Sequence, residues 1–336
     1  MGFELNKSYS GFRLTQKEEI SELKSLGLFF EHDVTGAELL VLENDDDNKV
    51  FSATFRTPPE NDTGIAHILE HSVLCGSKNF PVKEPFVELM KGSLQTFLNA
   101  MTFPDKTMYP VASRNQKDFY NLMNVYLDAV FYPTISEDTF KQEGWHYELN
   151  SPEDKIVYKG VVLNEMKGEF SSPESCIDRQ LAHSLFPSTP YGFESGGDPA
   201  CIPNLSYGEF KEFHRKHYHP SNSRLFLYGD GDTQSYLDYL QANYLKDFGL
   251  MDVNTSIPHQ RSFRKAKRKN LTYPISSHES LEKKTYVLLG YKLDKAINHE
   301  HCLGFSILSH LLLGSSASPL RKALITSELG SEVIGG

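Results

Sequence analysis

The order in which strand-like and helix-like patterns follow one another is the feature that most constrains the fold. Two β-type runs, residues 37–43 (AELLVLE) and 49–56 (KVFSATFR), flank an acidic stretch at 44–48 that is typical of a hairpin loop. Beyond them, helical and strand patterns mix without the regular strand–helix–strand alternation of a parallel sheet. The sequence therefore predicts an α+β fold, an antiparallel sheet with flanking helices.

Apolar periodicity and capping residues predict the remaining elements. Asn61, Asp62 and Thr63 offer capping oxygens to a helix that should start at Thr63 and end near Gly76. Further helices are predicted over 16–26, 86–94 with a stop at or near Gly92, 117–130, 139–144, from about 164, 235–244 and 301–313. Strands are predicted within 96–111, with a turn at Pro104-Asp105, and over 225–228 and 284–293.

The 336 residues, 39% of them hydrophobic, are enough for one large or two ordinary domains. We expect a first domain over 1–250. Periodicity fades over 251–274, where the basic run 261–269 favours a solvated linker over a nuclear signal or an anion-binding patch. Residues 275–336 hold one predicted strand and one helix, too little for a core. The chain is thus expected to stop, at Gly335-Gly336, inside an incomplete second domain.

Charge and cysteine usage exclude several classes of protein. The net charge of −10 argues against a nucleic-acid partner, and no apolar stretch is long enough to cross a membrane. The four cysteines form no C-x-x-C pair, and the N-terminus has neither a signal-peptide nor a transit-peptide pattern. We expect a soluble, cytoplasmic protein. A mitochondrial or other organellar location is the alternative if a transit peptide has been lost.

The sharpest chemical signal is His67-Ile68-Leu69-Glu70-His71, an H-x-x-E-H on the predicted helix that starts at Thr63. Helical spacing places His67, Glu70 and His71 on one face. Two imidazoles one turn apart can supply two of the three protein ligands of a catalytic Zn²⁺, and a carboxylate beside them can serve as general base. From these residues alone, the alternative to a zinc site is an ordinary helix with surface histidines and a solvated glutamate.

A second segment, YKGVVLNEMKG (158–168), decides between these alternatives by resemblance. Together with H-x-x-E-H it resembles the pitrilysin/insulinase family of zinc metallopeptidases, in particular the presequence protease branch. The resemblance extends to HILEHSVLCGSK (67–78), PVKEPFVELMKG (81–92), QEGWHYEL (142–149), YGFESGGDP (191–199) and HRKHYHPSN (214–222). It implies one Zn²⁺ per chain, with Glu165 as the third ligand after His67 and His71. Other branches carry a second glutamate seven residues before this ligand; here that position is Tyr158.

The resemblance also implies a place for the substrate. The segment 97–102 (FLNAMT) matches the family's N-A-x-T pattern, in which an exposed strand edge pairs with a peptide backbone. Asn99, Ala100 and Thr102 are accordingly the expected substrate-binding residues. By itself the segment reads as an ordinary edge strand.

The function implied is that of a zinc-dependent endopeptidase or oligopeptidase that degrades short unstructured peptides, with the catalytic domain in 1–250. Glu70 would deprotonate a metal-bound water, which attacks the peptide carbonyl, and would pass the proton to the leaving amine. The resemblance also implies a second, homologous domain after 275 and a missing C-terminal half of the same protein as partner. The alternatives are a non-catalytic peptide-binding or assembly subunit and an inactive truncated fragment. His146, His214, His217 and His219 are assigned to packing or surface roles rather than to a second metal site.

Overall fold

The computed structural model describes residues 2–83 and 85–334, so Met1, Glu84 and the terminal Gly335-Gly336 lie outside the described residues. Within them, nine strands form one sheet in the order β1-β2-β3-β4-β11-β5-β8-β6, with β7 also paired to β8, and two more form a small separate sheet, β10-β9. The strands are β1 (Ser8–Tyr9), β2 (Phe12–Ile20), β3 (Ser25–His32), β4 (Glu38–Glu43), β5 (Lys49–Arg56), β6 (Gln95–Leu98), β7 (Met101–Thr102), β8 (Lys106–Ser113), β9 (His146–Glu148), β10 (Val157–Lys159) and β11 (Ser223–Gly229).

Helices flank this sheet, as an α+β fold requires. They are α1 (Ile65–Val73), α2 (Pro85–Gly92), α3 (Gln116–Phe131), α4 (Glu137–Glu143), α5 (Val161–Glu169), α6 (Pro173–Leu185), α7 (Tyr207–His217), α8 (Thr233–Asn243), α9 (His299–Leu313) and α10 (Pro319–Thr326). Helix α3 packs on β5 and β8, and α1 packs on β7 and β8 while touching α4 and α7. The core lies between the sheet and these helices, and of the described residues none after Phe248 adds a hydrophobic side chain to it.

The predicted pairing of the two β-type runs is wrong, although both runs are strands. Strand β11 lies between them, parallel to β4 and antiparallel to β5. It fits there because Leu225 and Leu227 are buried and alternate with more exposed residues, as a central strand with one covered face requires. The acidic stretch still connects the two strands, but it bonds to the end of β11, where the amide of Asp230 donates to the carbonyl oxygen of Asp46 at 2.9 Å. The other strand pairs are antiparallel.

The helix predicted over 16–26 is also wrong. This segment forms the end of β2, a short turn and the start of β3, with Gln16 opposite Phe29 and Ile20 opposite Ser25. The side chains of 16–19 are polar and favour a helix locally, but β3 contributes the buried Leu28 and Phe30 and the two strands pair along their length. Tertiary pairing overrides local helix propensity here.

The C-terminal part differs from expectation in two elements. Helix α10 was not predicted. The predicted helix at 301–313 is confirmed as α9, but 284–293 forms neither strand nor helix in the described structure. A strand needs a partner for its backbone groups, and Tyr286, Val287 and Leu289 instead expose 41%, 86% and 74% of their surface. The segment 251–274 has no regular structure; its role as a linker between two domains stays a prediction. None of the described helices is long and apolar enough to cross a membrane.

Candidate metal centre

Helix α1 carries both histidines of the H-x-x-E-H motif. It begins at Ile65, two residues later than predicted, because the expected capping groups have other partners. Asn61 accepts the amide and hydroxyl of Thr63, and Asp62 accepts the amide of Glu194 at 2.8 Å. The helix ends at Val73, three residues before Gly76. The buried Ile68 and Leu69 anchor α1 to the core and fix the direction in which the histidines point.

Gly64 permits the loop around Gly196 to close on the start of α1. Its φ is +67°, and a Cβ added there would lie 2.7 Å from the carbonyl oxygen of Gly196. Only glycine allows both this conformation and this approach. The same carbonyl accepts a hydrogen bond from Nδ1 of His67 at 3.0 Å. The close contact therefore sets the orientation of the first histidine.

Helix α5 carries Glu165 and lies against α4. Val162, Leu163 and Met166 of this helix are buried, whereas Glu165 is exposed. The chain enters α5 through Gly160, where an added Cβ would lie 2.0 Å from the carbonyl oxygen of Gly144. This approach brings the start of α5 next to the end of α4 and thus close to α1.

The structure brings His67, His71 and Glu165 together. Oε2 of Glu165 lies 3.8 Å from Nε2 of His67 and 3.7 Å from Nε2 of His71. The ligand atoms of the three side chains all lie within 4.8 Å of one another. Their side chains are 12%, 26% and 50% exposed, so the cluster lies at an open surface and not in the core.

Both imidazoles are held through Nδ1. Nδ1 of His67 donates to a carbonyl oxygen, and Nδ1 of His71 donates to Oε2 of Glu143 at 3.3 Å. Carbonyl and carboxylate oxygens only accept, so each neutral ring carries its proton on Nδ1. Each Nε2 then presents a lone pair on the side of Glu165, which is the arrangement typical of histidines that bind a metal.

Charges around His71 and Glu143 oppose the effect of burial. Burial by itself would lower the pKa of His71, but the hydrogen bond to Glu143 and the nearby carboxylates, Glu70 among them, raise it above its ordinary value of 6.5. Burial would raise the pKa of Glu143, but hydrogen bonds from His71 and Gln142 lower it below 4.5. Glu143 is therefore a buried, charged carboxylate at neutral pH.

Glu70 is a neighbour of His71 but does not belong to the group of three ligand side chains, His67, His71 and Glu165. The residue is only 8% exposed, and its Oε2 accepts a hydrogen bond from the hydroxyl of Thr102 at 2.7 Å. Burial, with a smaller contribution from the charge of Glu70, raises the pKa of Tyr109 and Tyr126, so both phenols stay protonated at neutral pH. Glu70 is thus a carboxylate in a largely water-excluded place next to two imidazoles.

The predicted substrate-binding residues lie at one edge of the main sheet. Strand β6 is the last strand there, and Asn99 and Ala100 connect it to β7. The amide of Asn99 donates to the carbonyl oxygen of Pro110 at 3.2 Å, and Oδ1 of Asn99 accepts the amide of Ala100 at 3.0 Å. Thr102 points to Glu70. Peptide pairing at this edge stays a prediction.

Sequence reasoning missed the partners that hold the imidazoles, Glu143 and Gly196. Both lie in segments that resemble the family, QEGWHYEL and YGFESGGDP, but neither received a role. No acid was assigned at Tyr158, and no pattern in the sequence pointed to Glu143 in its place. Among the described residues, the one group of histidine, cysteine and acidic side chains placed to hold a metal is His67, His71 and Glu165. Of the histidines assigned to packing or surface roles, His217 is buried, and Nε2 of His214 donates to the carbonyl oxygen of Val130 at 2.9 Å.

Comparisons with known proteins agree with the motifs. Two family models match, "Insulinase (Peptidase family M16)" over residues 55–169 and "Peptidase M16 inactive domain" over 204–336. Protein HypA of Clostridium perfringens is 53% identical over 337 residues, covering 100% of this chain and 35% of that protein. Presequence protease 1, chloroplastic/mitochondrial, of Arabidopsis thaliana is 52% identical, and the mitochondrial presequence protease of Mus musculus is 40% identical. These two alignments cover 96% and 98% of this chain and 30% and 32% of the relatives.

The fold has solved counterparts. Pitrilysin aligns with a TM-score of 0.56 at 16% identity, over 70% of this chain and 24% of that one. A protease from Helicobacter pylori aligns with a TM-score of 0.54 at 19% identity, over 68% and 51%. The chain spans about a third of the length of the curated relatives it matches. With 37–52% identity to presequence proteases over nearly its whole length, this chain belongs to the insulinase family, peptidase family M16, as a presequence protease-like member.

Proposed function

We propose that this chain is the zinc-binding part of a metallopeptidase that cleaves short unstructured peptides. His67, His71 and Glu165 would hold one Zn²⁺, and Glu70 would serve as general base. The observation that carries the proposal is the convergence of two Nε2 atoms and one carboxylate oxygen beside a buried carboxylate that is not part of the cluster. Membership of a peptidase family supports it.

The donor set fits zinc. Two imidazole nitrogens and one carboxylate oxygen form a ligand set used by catalytic zinc sites, which keep a fourth position for water. Ligand atoms 2.0–2.1 Å from a tetrahedral ion lie about 3.3 Å apart. The separations from Oε2 of Glu165, 3.7 and 3.8 Å, are within about half an ångström of this value, and all three ligand atoms lie within 4.8 Å of one another. The hydrogen bonds to both Nδ1 atoms leave the correct nitrogens available.

The chain's own residues would do the proton transfer and position the substrate. When bound, zinc supplies a Lewis acid that polarises the peptide carbonyl and lowers the pKa of a water molecule. Glu70, held by Thr102 at one oxygen, would take a proton and return it to the leaving amine. The edge formed by β6 and β7 would pair with the backbone of an extended peptide, which leaves side-chain identity loosely specified.

A metal analysis with matched variants tests the ligand assignment. Glu165→Gln removes the carboxylate ligand, whereas Glu169→Gln changes an exposed glutamate one turn further along the same helix. We expect the purified chain and Glu169→Gln to hold about one zinc each and Glu165→Gln to lose it. Equal zinc content in both variants would remove Glu165 from the site.

A second variant separates the base from the ligands. Glu70→Gln keeps all three ligands, so we expect it to retain zinc and to lose peptide hydrolysis by about 10²- to 10⁴-fold. Turnover is measured with a quenched fluorescent peptide, with Glu169→Gln again as control. Loss of zinc in Glu70→Gln would mean that Glu70 is a ligand or supports one.

The partner of this chain and its location in the cell are also proposals. Because the chain spans about a third of its relatives, we propose that the missing C-terminal half of the same protein supplies further contacts to the substrate. The relatives from Arabidopsis thaliana and Mus musculus are named for organelles, whereas Protein HypA comes from a bacterium. Cytoplasmic location therefore stays a prediction, to be checked by fractionation of the source cells.

A further inference from the structure

Glu143 is a buried acid with an unusual set of neighbours. It is the last residue of α4, is 6% exposed, and accepts the Nδ1 proton of His71 through Oε2 at 3.3 Å. Its other oxygen, Oε1, accepts from Nε2 of Gln142 at 2.9 Å and from the thiol of Cys75 at 3.8 Å. Both oxygens are therefore engaged, and the carboxylate has a defined orientation.

No lysine or arginine of the described residues forms an ion pair with this carboxylate. Among the described residues, the ion pair that Glu143 forms is with the imidazole of His71. A buried carboxylate is costly unless it is paired or lies near a cation. A divalent ion bound at Nε2 of His71 would place positive charge across the ring from Glu143.

We propose that Glu143 is the positioning residue of the metal ligand His71. By accepting the Nδ1 proton it keeps the lone pair on Nε2, fixes the plane of the ring, and makes the imidazole a stronger donor to the ion. The inference rests on the proposed zinc function and adds to it a residue that does not touch the metal.

The two histidines are supported unequally. His67 donates to the neutral carbonyl oxygen of Gly196, whereas His71 donates to a charged carboxylate. A charged acceptor increases ligand basicity more than a neutral one. The acid that contacts His71 comes from α4, whereas the strand before α5 carries the exposed Tyr158.

Zinc affinity measured by competition with a chromogenic chelator tests the proposal. We expect Glu143→Ala to weaken binding about 10- to 100-fold. Glu143→Gln should lose less, because the amide oxygen still accepts the Nδ1 proton but carries no charge. The matched control is Glu137→Gln, an exposed acid on the same helix that pairs with Lys141, and we expect wild-type affinity from it. Wild-type affinity in Glu143→Ala would overturn the proposal.

A second measurement separates positioning from packing and needs no metal. In the chelator-treated chain, ¹⁵N NMR of His71 should show the proton on Nδ1, and Glu143→Ala should shift the population toward the Nε2–H tautomer, with rescue in Glu143→Gln. An unchanged tautomer would show that Glu143 only fills space. If the wild-type chain binds no zinc at all, the proposed function fails, and the tautomer measurement still decides whether Glu143 orients His71.

Discussion

Acid should destabilise this fold through His217. The residue ends α7, is 2% exposed, and packs its ring against Phe213 with centroids 4.2 Å apart. Burial, followed by the charge of Lys216, lowers the pKa of His217 from its ordinary 6.5 to about 4. Glu60 opposes this with a smaller effect. The folded state therefore keeps the imidazole neutral well into the acid range.

The direction and the size of the change in the free energy of unfolding with pH follow from proton linkage. The unfolded chain takes up the proton on His217 near pH 6.5 and the folded chain only near pH 4. The contribution of His217 to the free energy of unfolding is therefore complete above pH 6.5 and is lost as the pH falls toward 4. A difference of about 2.5 pKa units corresponds to about 3.4 kcal/mol in total. Between pH 7 and pH 5, His217 is expected to contribute about 2 kcal/mol to the loss in the free energy of unfolding.

Urea unfolding at pH 7, 6 and 5, in a chelating buffer that removes bound metal, measures this loss. Trp145, the single tryptophan, reports on the domain because its Nε1 donates to the carbonyl oxygen of Leu205 at 2.9 Å. His217→Gln should reduce the acid-induced loss by about 2 kcal/mol relative to the wild type, whatever its stability at pH 7. The control is His183→Gln, which changes an exposed histidine whose Nδ1 donates to the carbonyl oxygen of Gly192 at 3.2 Å. The same acid dependence in His217→Gln and wild type would refute the reasoning.

Two further predictions concern the base and the C-terminal segment. Thr102→Val removes the hydroxyl that holds Glu70, so peptide turnover should fall about 10- to 100-fold at unchanged zinc content, because a hydrogen bond to a charged group is worth about 1.5–3 kcal/mol. Thr102→Ser should restore turnover, and wild-type turnover in the valine variant would contradict the role. The chain should also self-associate through 281–334, where Leu281, Val287 and Leu329 are 80%, 86% and 93% exposed. Light scattering should show less association when the chain ends at Leu250. A monodisperse 336-residue chain would contradict the predicted self-association. If that chain also turned peptides over faster than about 1 s⁻¹, the proposed dependence of turnover on the missing C-terminal half would be wrong.

Local patterns were sufficient for some of the helices, although they gave no prediction for α6, α7 and α10. The apolar spacing that predicted 117–130 and 301–313 as helices depends only on neighbours within a turn or two, and α3 and α9 confirm it. The same reasoning failed at 16–26 and in the pairing of β4 with β5. Strand partners are chosen by residues far along the chain, and β11, which lies between β4 and β5, follows them by more than a hundred and fifty residues.

The candidate site also has a part that local sequence spacing predicts and a part that only the tertiary structure decides. His67, Glu70 and His71 lie within one helix, so their spacing alone predicts a shared face. Glu165 could be assigned only by resemblance, because nothing in its own neighbourhood distinguishes it from other exposed glutamates. Contacts between distant segments, which the sequence does not encode locally, decided the rest: Glu143 on His71, the carbonyl oxygen of Gly196 on His67, and Thr102 on Glu70.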